Sequence, residues 1–219
     1  MEPPFIITID GPAASGKSSL ANNLAKELNY LHINSGLMYR ALACIIMYEN
    51  IDYKDEKSLA HLLNNIRINY NDNNITINGI NFQDRLYSPG ILETLAEVSK
   101  QCIVRNKLNS LQKLIASDKS VVVDGRDAGT VVFPDAKLKV FLYADIKVRA
   151  ERRYAELTKQ GIEISKEEIA KNLQTRDTND LNRTFGPLKK AQDAIQIDNT
   201  NLSIQDQIEI IKNIKLQIR

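Results

Sequence analysis

A short apolar run, Phe5-Ile6-Ile7-Thr8-Ile9, leads straight into Gly11-Pro12-Ala13-Ala14-Ser15-Gly16-Lys17-Ser18. This junction limits the possible folds more than any other stretch of the chain. Its spacing is G-x-x-x-x-G-K-S, with a strand pattern in front and a helical pattern behind. The glycines let the backbone wrap closely round an anion, with successive N–H groups turned inward. Lys17 would reach outer phosphates, and the Ser18 hydroxyl would sit on a magnesium ion. The helix that follows adds the positive end of its dipole to the same phosphates. Such a strand, loop and helix predict an α/β chain that binds a nucleoside triphosphate.

The pattern downstream agrees. Leu20, Leu24 and Leu28, with Ala21 and Ala25 beside them, mark an amphipathic helix. Tyr30-Leu31-His32-Ile33 reads as a strand, Asn34-Ser35-Gly36 as its end, and a second helix runs to about Tyr48. The period then changes from helical to alternating. Ile66 to Tyr70 and Ile75 to Asn78 alternate with period two, joined by Asn71-Asp72-Asn73-Asn74, and Asn78-Gly79 signals another hairpin before Ile80-Asn81-Phe82. A helix from about Ile91 to Ala116 precedes strands at Ser120–Asp124 and Leu138–Tyr143. A basic helix then extends to about Lys159, and Ser165 with Glu168 forms a capping box for the next helix. Ala194 to Asp198 is the last strand, and the helix after Ser203 places Ile204, Ile208, Ile211 and Ile218 on one face. The predicted architecture is α/β: a central parallel sheet flanked by helices, carrying a small antiparallel β insertion over residues 61–98 and a helical lid over 146–165. Residues 1–219 form one domain, with function at the carboxyl ends of its strands.

Composition excludes several classes. A net charge of +2 is too mild to predict a nucleic-acid or membrane surface. Cys44 and Cys102 match no metal spacing, and His32 and His61 have no ligand cluster around them in sequence, so both histidines are expected to be structural. No stretch approaches a membrane span and Met1-Glu2-Pro3-Pro4 is no signal peptide, so a soluble cytoplasmic monomer is expected.

Among chains with this loop, a GTPase switch would carry D-x-x-G and N-K-x-D, and Asn106-Lys107-Leu108-Asn109 lacks the final Asp. A motor ATPase would end a strand in Asp-Glu, whereas Asp124 is followed by Gly125-Arg126-Asp127. Arginine placement favours a small kinase. Arg40, Arg126, Arg176 and Arg183 fall at strand ends or helix starts, and Arg149, Arg152 and Arg153 cluster on one helix. Transfer between two polyanions needs such forks, because arginine stays charged and binds phosphate oxygens in pairs. Two other readings stay open at this point: a different small-molecule P-loop kinase, or a nucleotide-regulated binding protein.

Three segments narrow the choice: Ile9-Asp10-Gly11-Pro12 with its loop, Ser35-Gly36-Leu37-Met38-Tyr39-Arg40, and Asp124-Gly125-Arg126-Asp127-Ala128-Gly129-Thr130-Val131-Val132-Phe133-Pro134. With Arg176-Asp177, Asp180, Arg183 and Pro187-Leu188, they make the chain resemble the bacterial cytidylate kinases over nearly its whole length. The resemblance implies transfer of the ATP γ-phosphoryl group to CMP or dCMP, with magnesium entering alongside ATP. It assigns Gly11 to Ser19, including Ser19 itself, to the ATP phosphates, and Ser35, Arg40, Arg126 and Arg176 to the acceptor monophosphate. Ser99, Arg105 and Asp127 would read the cytosine edge, whose amine donor and ring acceptors suit a carboxylate beside a cation. Asp180 would accept from a ribose hydroxyl, and Arg183, Arg149 and Arg153 would close over the transferring group. Lys17, Arg126, Arg176 and Arg183 form the implied catalytic set. The chain departs from the family at Asn34, where Asp is usual, and at Tyr87, where Arg is expected and Arg85 lies close. It is also shorter between Ser99 and Arg105.

Overall fold

The computed structural model of the chain describes residues 3–71, 74–159 and 161–218. Asp72 and Asn73, the centre of the first predicted turn, lie outside the described residues. The chain opens with β1 (Ile6–Asp10), α1 (Lys17–Leu28), β2 (Leu31–Asn34) and α2 (Ser35–Tyr48). Next come α3 (Glu56–Asn65), β3 (Ile68–Asn71), β4 (Asn74–Ile77), β5 (Ile80–Asn81), α4 (Pro89–Val98) and α5 (Cys102–Ile115). The remainder is β6 (Val121–Gly125), β7 (Leu138–Tyr143), α6 (Ile146–Lys159), α7 (Lys166–Asn182), β8 (Ile195–Asp198) and α8 (Ile204–Gln217).

Among the described residues, five strands form one parallel sheet in the order β2-β6-β1-β7-β8. Alternation sends their side chains into two separate cores. Ile7, Ile9, Val122, Val140 and Leu142 pack with Leu20 and Leu24 of α1 and Ile208 and Ile211 of α8. Ile33, Val121 and Val123 face the other way, onto α2 and α5. β3, β4 and β5 form the expected antiparallel sheet. Its Ile75 and Ile77, with Phe82 and Leu86 just beyond, join the same apolar cluster as Ile33 and Val121. The insertion is thus built onto one face of the main sheet.

Three local expectations need correction. The helix read from Ile91 to Ala116 is two helices, broken between Val98 and Cys102. Gln101 is extended there, with ψ 128°, and its side-chain amide donates to the Tyr53 carbonyl at 2.9 Å, a tertiary bond that no local pattern announces. At Ser165 only half of the capping box forms, the hydroxyl accepting from the Glu168 N–H. The reciprocal box lies at Ser203 and Asp206, at the start of α8. Finally, α3 was not read from the sequence; it begins where the Asp55 carboxylate accepts from the Lys57 and Ser58 amides. No helix among the described residues is long and apolar enough to cross a membrane.

Candidate active site

The loop between β1 and α1 sits at the carboxyl edge of the sheet, where strand order reverses. Gly11 has φ 152° and Gly16 φ 90°, and Ala14 is also left-handed at φ 56°. At Gly11 any side chain would run into the Leu142 carbonyl of β7, so glycine is required by close approach as well as by φ. Lys17 is buried and donates to Pro12 O at 2.6 Å and Ser15 Oγ at 3.3 Å. Burial, then the neighbouring Arg126 charge, holds its ammonium well below the usual lysine range. Ser18 and Ser19 are exposed at the helix start.

Side chains from distant segments hold the loop. Asp177 of α7 accepts from the Ala13 N–H at 2.9 Å and pairs with Arg149 of α6 at 2.6 Å. Arg149 in turn donates to Ala13 O at 3.0 Å. Arg152 and Asn199 both donate to Ser15 O, at 3.3 and 2.9 Å. Ala150, Ile169 and Leu173 of the α6–α7 pair pack on Ala13. Arg149 is therefore a buried buttress of the loop. Arg153 lies outside it, pairing with Glu156 at 2.9 Å.

The end of β6 is the centre of the site. Asp124 is buried; its Oδ2 accepts from Ser18 Oγ at 2.6 Å and its Oδ1 meets His32 Nε2 at 2.6 Å. Its backbone carbonyl accepts from Ser35 Oγ at 2.7 Å. Next along the chain, Arg126 pairs with Asp180 at 2.7 Å. Asp127 pairs closely with Arg105 and, at 3.3 Å, with Arg183. Arg183 also reaches Asp180 at 3.4 Å. Burial opposes ionisation of Asp180, but Arg126, Arg183 and Arg176 outweigh it and hold the carboxyl below the usual range. Arg176 is exposed to the cleft but walled by protein, and this desolvation with the Arg126, Arg40 and Arg153 charges lowers it to about 10. Arg40 donates to Leu86 O at 3.0 Å and lies 4.6 Å from the centre of the Tyr87 ring. Ser99 is half-buried, its carbonyl 3.4 Å from the Arg105 guanidinium and its hydroxyl turned onto Ala96 O. The break between α4 and α5 brings these two residues together.

Sequence reading assigned no role to Asp10 or Tyr39, and both shape the site. Asp10 accepts from the Ala128 and Gly129 amides at 2.9 and 2.7 Å, anchoring the turn after β6 to β1. Burial pushes its carboxyl up to about 6, although those amides pull the other way. The Tyr39 hydroxyl is buried without a hydrogen-bond partner, its ring centre 5.7 Å from Arg105. Asn34 caps α2 through Oδ1, accepting from Leu37 N–H at 3.1 Å, while its own N–H donates to Tyr70 Oη. Arg85 lies elsewhere, against Cys44, Met47 and Tyr48. The adjacent oxygens of Ser18 and Asp124 are hard donors of the type magnesium prefers. Among the described residues no group of three or more His, Cys, Asp or Glu could form a cage.

A family model described as cytidylate kinase matches residues 7–216. A cytidylate kinase from Alkaliphilus oremlandii is 44% identical over 208 residues, covering 95% of this chain and 96% of that protein. One from Fusobacterium nucleatum is 41% identical over 207 residues, covering 94% and 95%. A solved structure from Chloroflexus aurantiacus, 12% identical, aligns over 100% of both chains with a TM-score of 0.51, a likeness of fold alone.

Proposed function

The chain belongs to the cytidylate kinase family, and from that membership and the geometry above we propose how its residues carry the reaction. It is an ATP-dependent phosphotransferase that moves the γ-phosphoryl group of ATP to CMP, giving CDP and ADP. We extend the acceptor to dCMP and place the reaction in the cytoplasm, on small-molecule substrates and within a single chain. The observation that carries the assignment is the end of β6. Within four consecutive residues there, Asp124 bonds Ser18 of the phosphate loop while Arg126 and Asp127 pair with Asp180 and Arg105, which supports placing the acceptor beside the last two.

The free loop amides that follow Ala13 and the Lys17 ammonium hold the triphosphate, the Ala13 N–H being held by Asp177. Ser18 would hold magnesium, with Asp124 ordering its hydroxyl. Bound there, magnesium would supply neutralisation of the phosphate charge. Arg40 and Ser35 hold the acceptor phosphate from one side, Arg126 and Arg176 from the other. Arg126 and Arg176 spread their charge over the transferring group, where in-line alignment and neutralisation supply most of the catalysis. Asp127, fixed by Arg105, accepts from the cytosine amine, and Arg105 donates to the ring acceptors. Arg183 exchanges its contact with Asp127 for one nearer the phosphates as α6 and α7 close, and Asp180 accepts from ribose. Closure of residues 61–98 and 146–165 over the substrates excludes water, which would otherwise consume ATP.

ADP formation from ATP and Mg²⁺, with CMP, dCMP, UMP, AMP and GMP offered separately, tests this. Turnover is expected with CMP and dCMP and at least tenfold lower kcat/KM with the others. Lys17→Ala abolishes transfer to every acceptor, whereas Asp127→Ala chiefly erodes the preference for cytosine over uracil. An Asp127→Ala enzyme as selective as the parent would remove Asp127 from base reading.

A further inference from the structure

His32 lies on β2, buried beside β6, with no acidic residue near it in sequence. The fold supplies one from 92 positions away, placing Nε2 at 2.6 Å from Asp124 Oδ1. Asp124 therefore has two partners, His32 on one oxygen and Ser18 on the other. An ionised carboxylate only accepts, so both partners must donate to it. This fixes the proton on Nε2. It also explains why Nδ1, buried with no hydrogen-bond partner, survives as a bare lone pair rather than a stranded N–H. The Ser18 hydroxyl proton is likewise committed to Asp124, so the Ser18 lone pairs turn outward into the cleft, where the residue is exposed.

We propose that His32 is a positioning residue for the phosphate–metal end of the site: by locking the Asp124 carboxylate it makes Ser18 present lone pairs, and not its proton, to a divalent cation. The proposal rests on the assignment of Ser18 to magnesium made above. Without the imidazole N–H, the Asp124 side chain is free to rotate and Ser18 free to turn its proton toward the cleft. Partners that orient a ligand in this way typically change metal affinity by about 10–100-fold when removed. The phosphate cradle of loop amides and Lys17 does not pass through His32, so binding of the nucleotide without metal is independent of it.

Calorimetric titration with the non-hydrolysable β,γ-imido analogue of ATP, in Mg²⁺ and in EDTA, separates the two contributions. In the parent chain, Mg²⁺ is expected to tighten binding. His32→Leu should lose about tenfold of that affinity in Mg²⁺, with binding in EDTA unchanged within about twofold. His32→Gln, which returns an N–H at similar reach, should recover most of it. If the leucine variant does not fold, His32→Met provides the same comparison. Equal weakening in both buffers, no change in either, or a glutamine variant as impaired as the leucine would overturn the proposal. A parent chain indifferent to Mg²⁺ would overturn the Ser18 assignment as well, which distinguishes the two failures.

Discussion

Asp10 shows how a single side chain can carry fold and site together. Its carboxylate joins β1 to the turn that follows β6, tying the start of the phosphate loop to the segment just after Asp127. Burial raises its pKa to about 6, above the ordinary value of 3.8. A raised acid favours the fold at low pH: its contribution is full below about 4 and is lost as pH rises through about 6. Two pK units correspond to about 3 kcal/mol. The expected outcome is that stability of Asp10→Asn relative to the parent improves by up to this amount between pH 4 and 7, superimposed on a constant cost for an amide that offers one acceptor to two N–H groups. Urea unfolding of both proteins across that range measures it, and parallel curves would show that Asp10 does not titrate as described. Residues such as Lys17 and Ser18 were legible in sequence because their chemistry is encoded in eight adjacent positions. Asp10, His32, Asp177 and Asn199 were not, since the bonds that tie each of them to the site reach across 92 to 184 positions.

Elements were legible where one period holds over a whole segment. The alternation in β4 matches the structure closely, and of the stripe read for α8 Ile208 and Ile211 are buried, whereas Ile204 at the first turn is exposed and Ile218 lies just past the helix end. The α4–α5 segment failed because both helices are amphipathic and the break between them rests on a glutamine bonded to a distant carbonyl. That break matters to function, for it seats Ser99 against Arg105 beside Asp127. Capping was harder to locate: a Ser with Glu three places on predicted a full box at Ser165, and the complete box uses Asp206 instead. Ser203→Ala removes the hydroxyl that accepts from Asp206 N–H at 3.1 Å. It should cost about 1 kcal/mol and lower Tm by about 2–4 °C, with kcat unaltered. Scanning calorimetry alongside a CMP assay checks both halves.

At the scale of the whole molecule, one apolar cluster spans the sheet and the insertion, from Ile33 and Val121 to Ile77 and Phe82. The insertion is therefore not a module that melts alone. Far-ultraviolet and tyrosine near-ultraviolet circular dichroism should give superimposable thermal transitions, and a chain lacking residues 66–82 should not fold; two separated transitions would contradict this. Strand order was foreseeable only as a class, because β6 pairs with β1 and β2 from 115 and 90 positions away. That central strand sets a further limit. On the roles proposed above, the phosphate–metal end hangs from Asp124 and the base-reading end from Asp127, three peptide units and at most about 10 Å of backbone apart. The spacing between donor and acceptor is thus gauged by covalent geometry over the end of one buried strand and the turn that follows it. A lineage altering this enzyme could reshape either pocket wall freely, but a shift of β6 would misplace both substrates together, and no adjustment of the surrounding helices could correct one without the other.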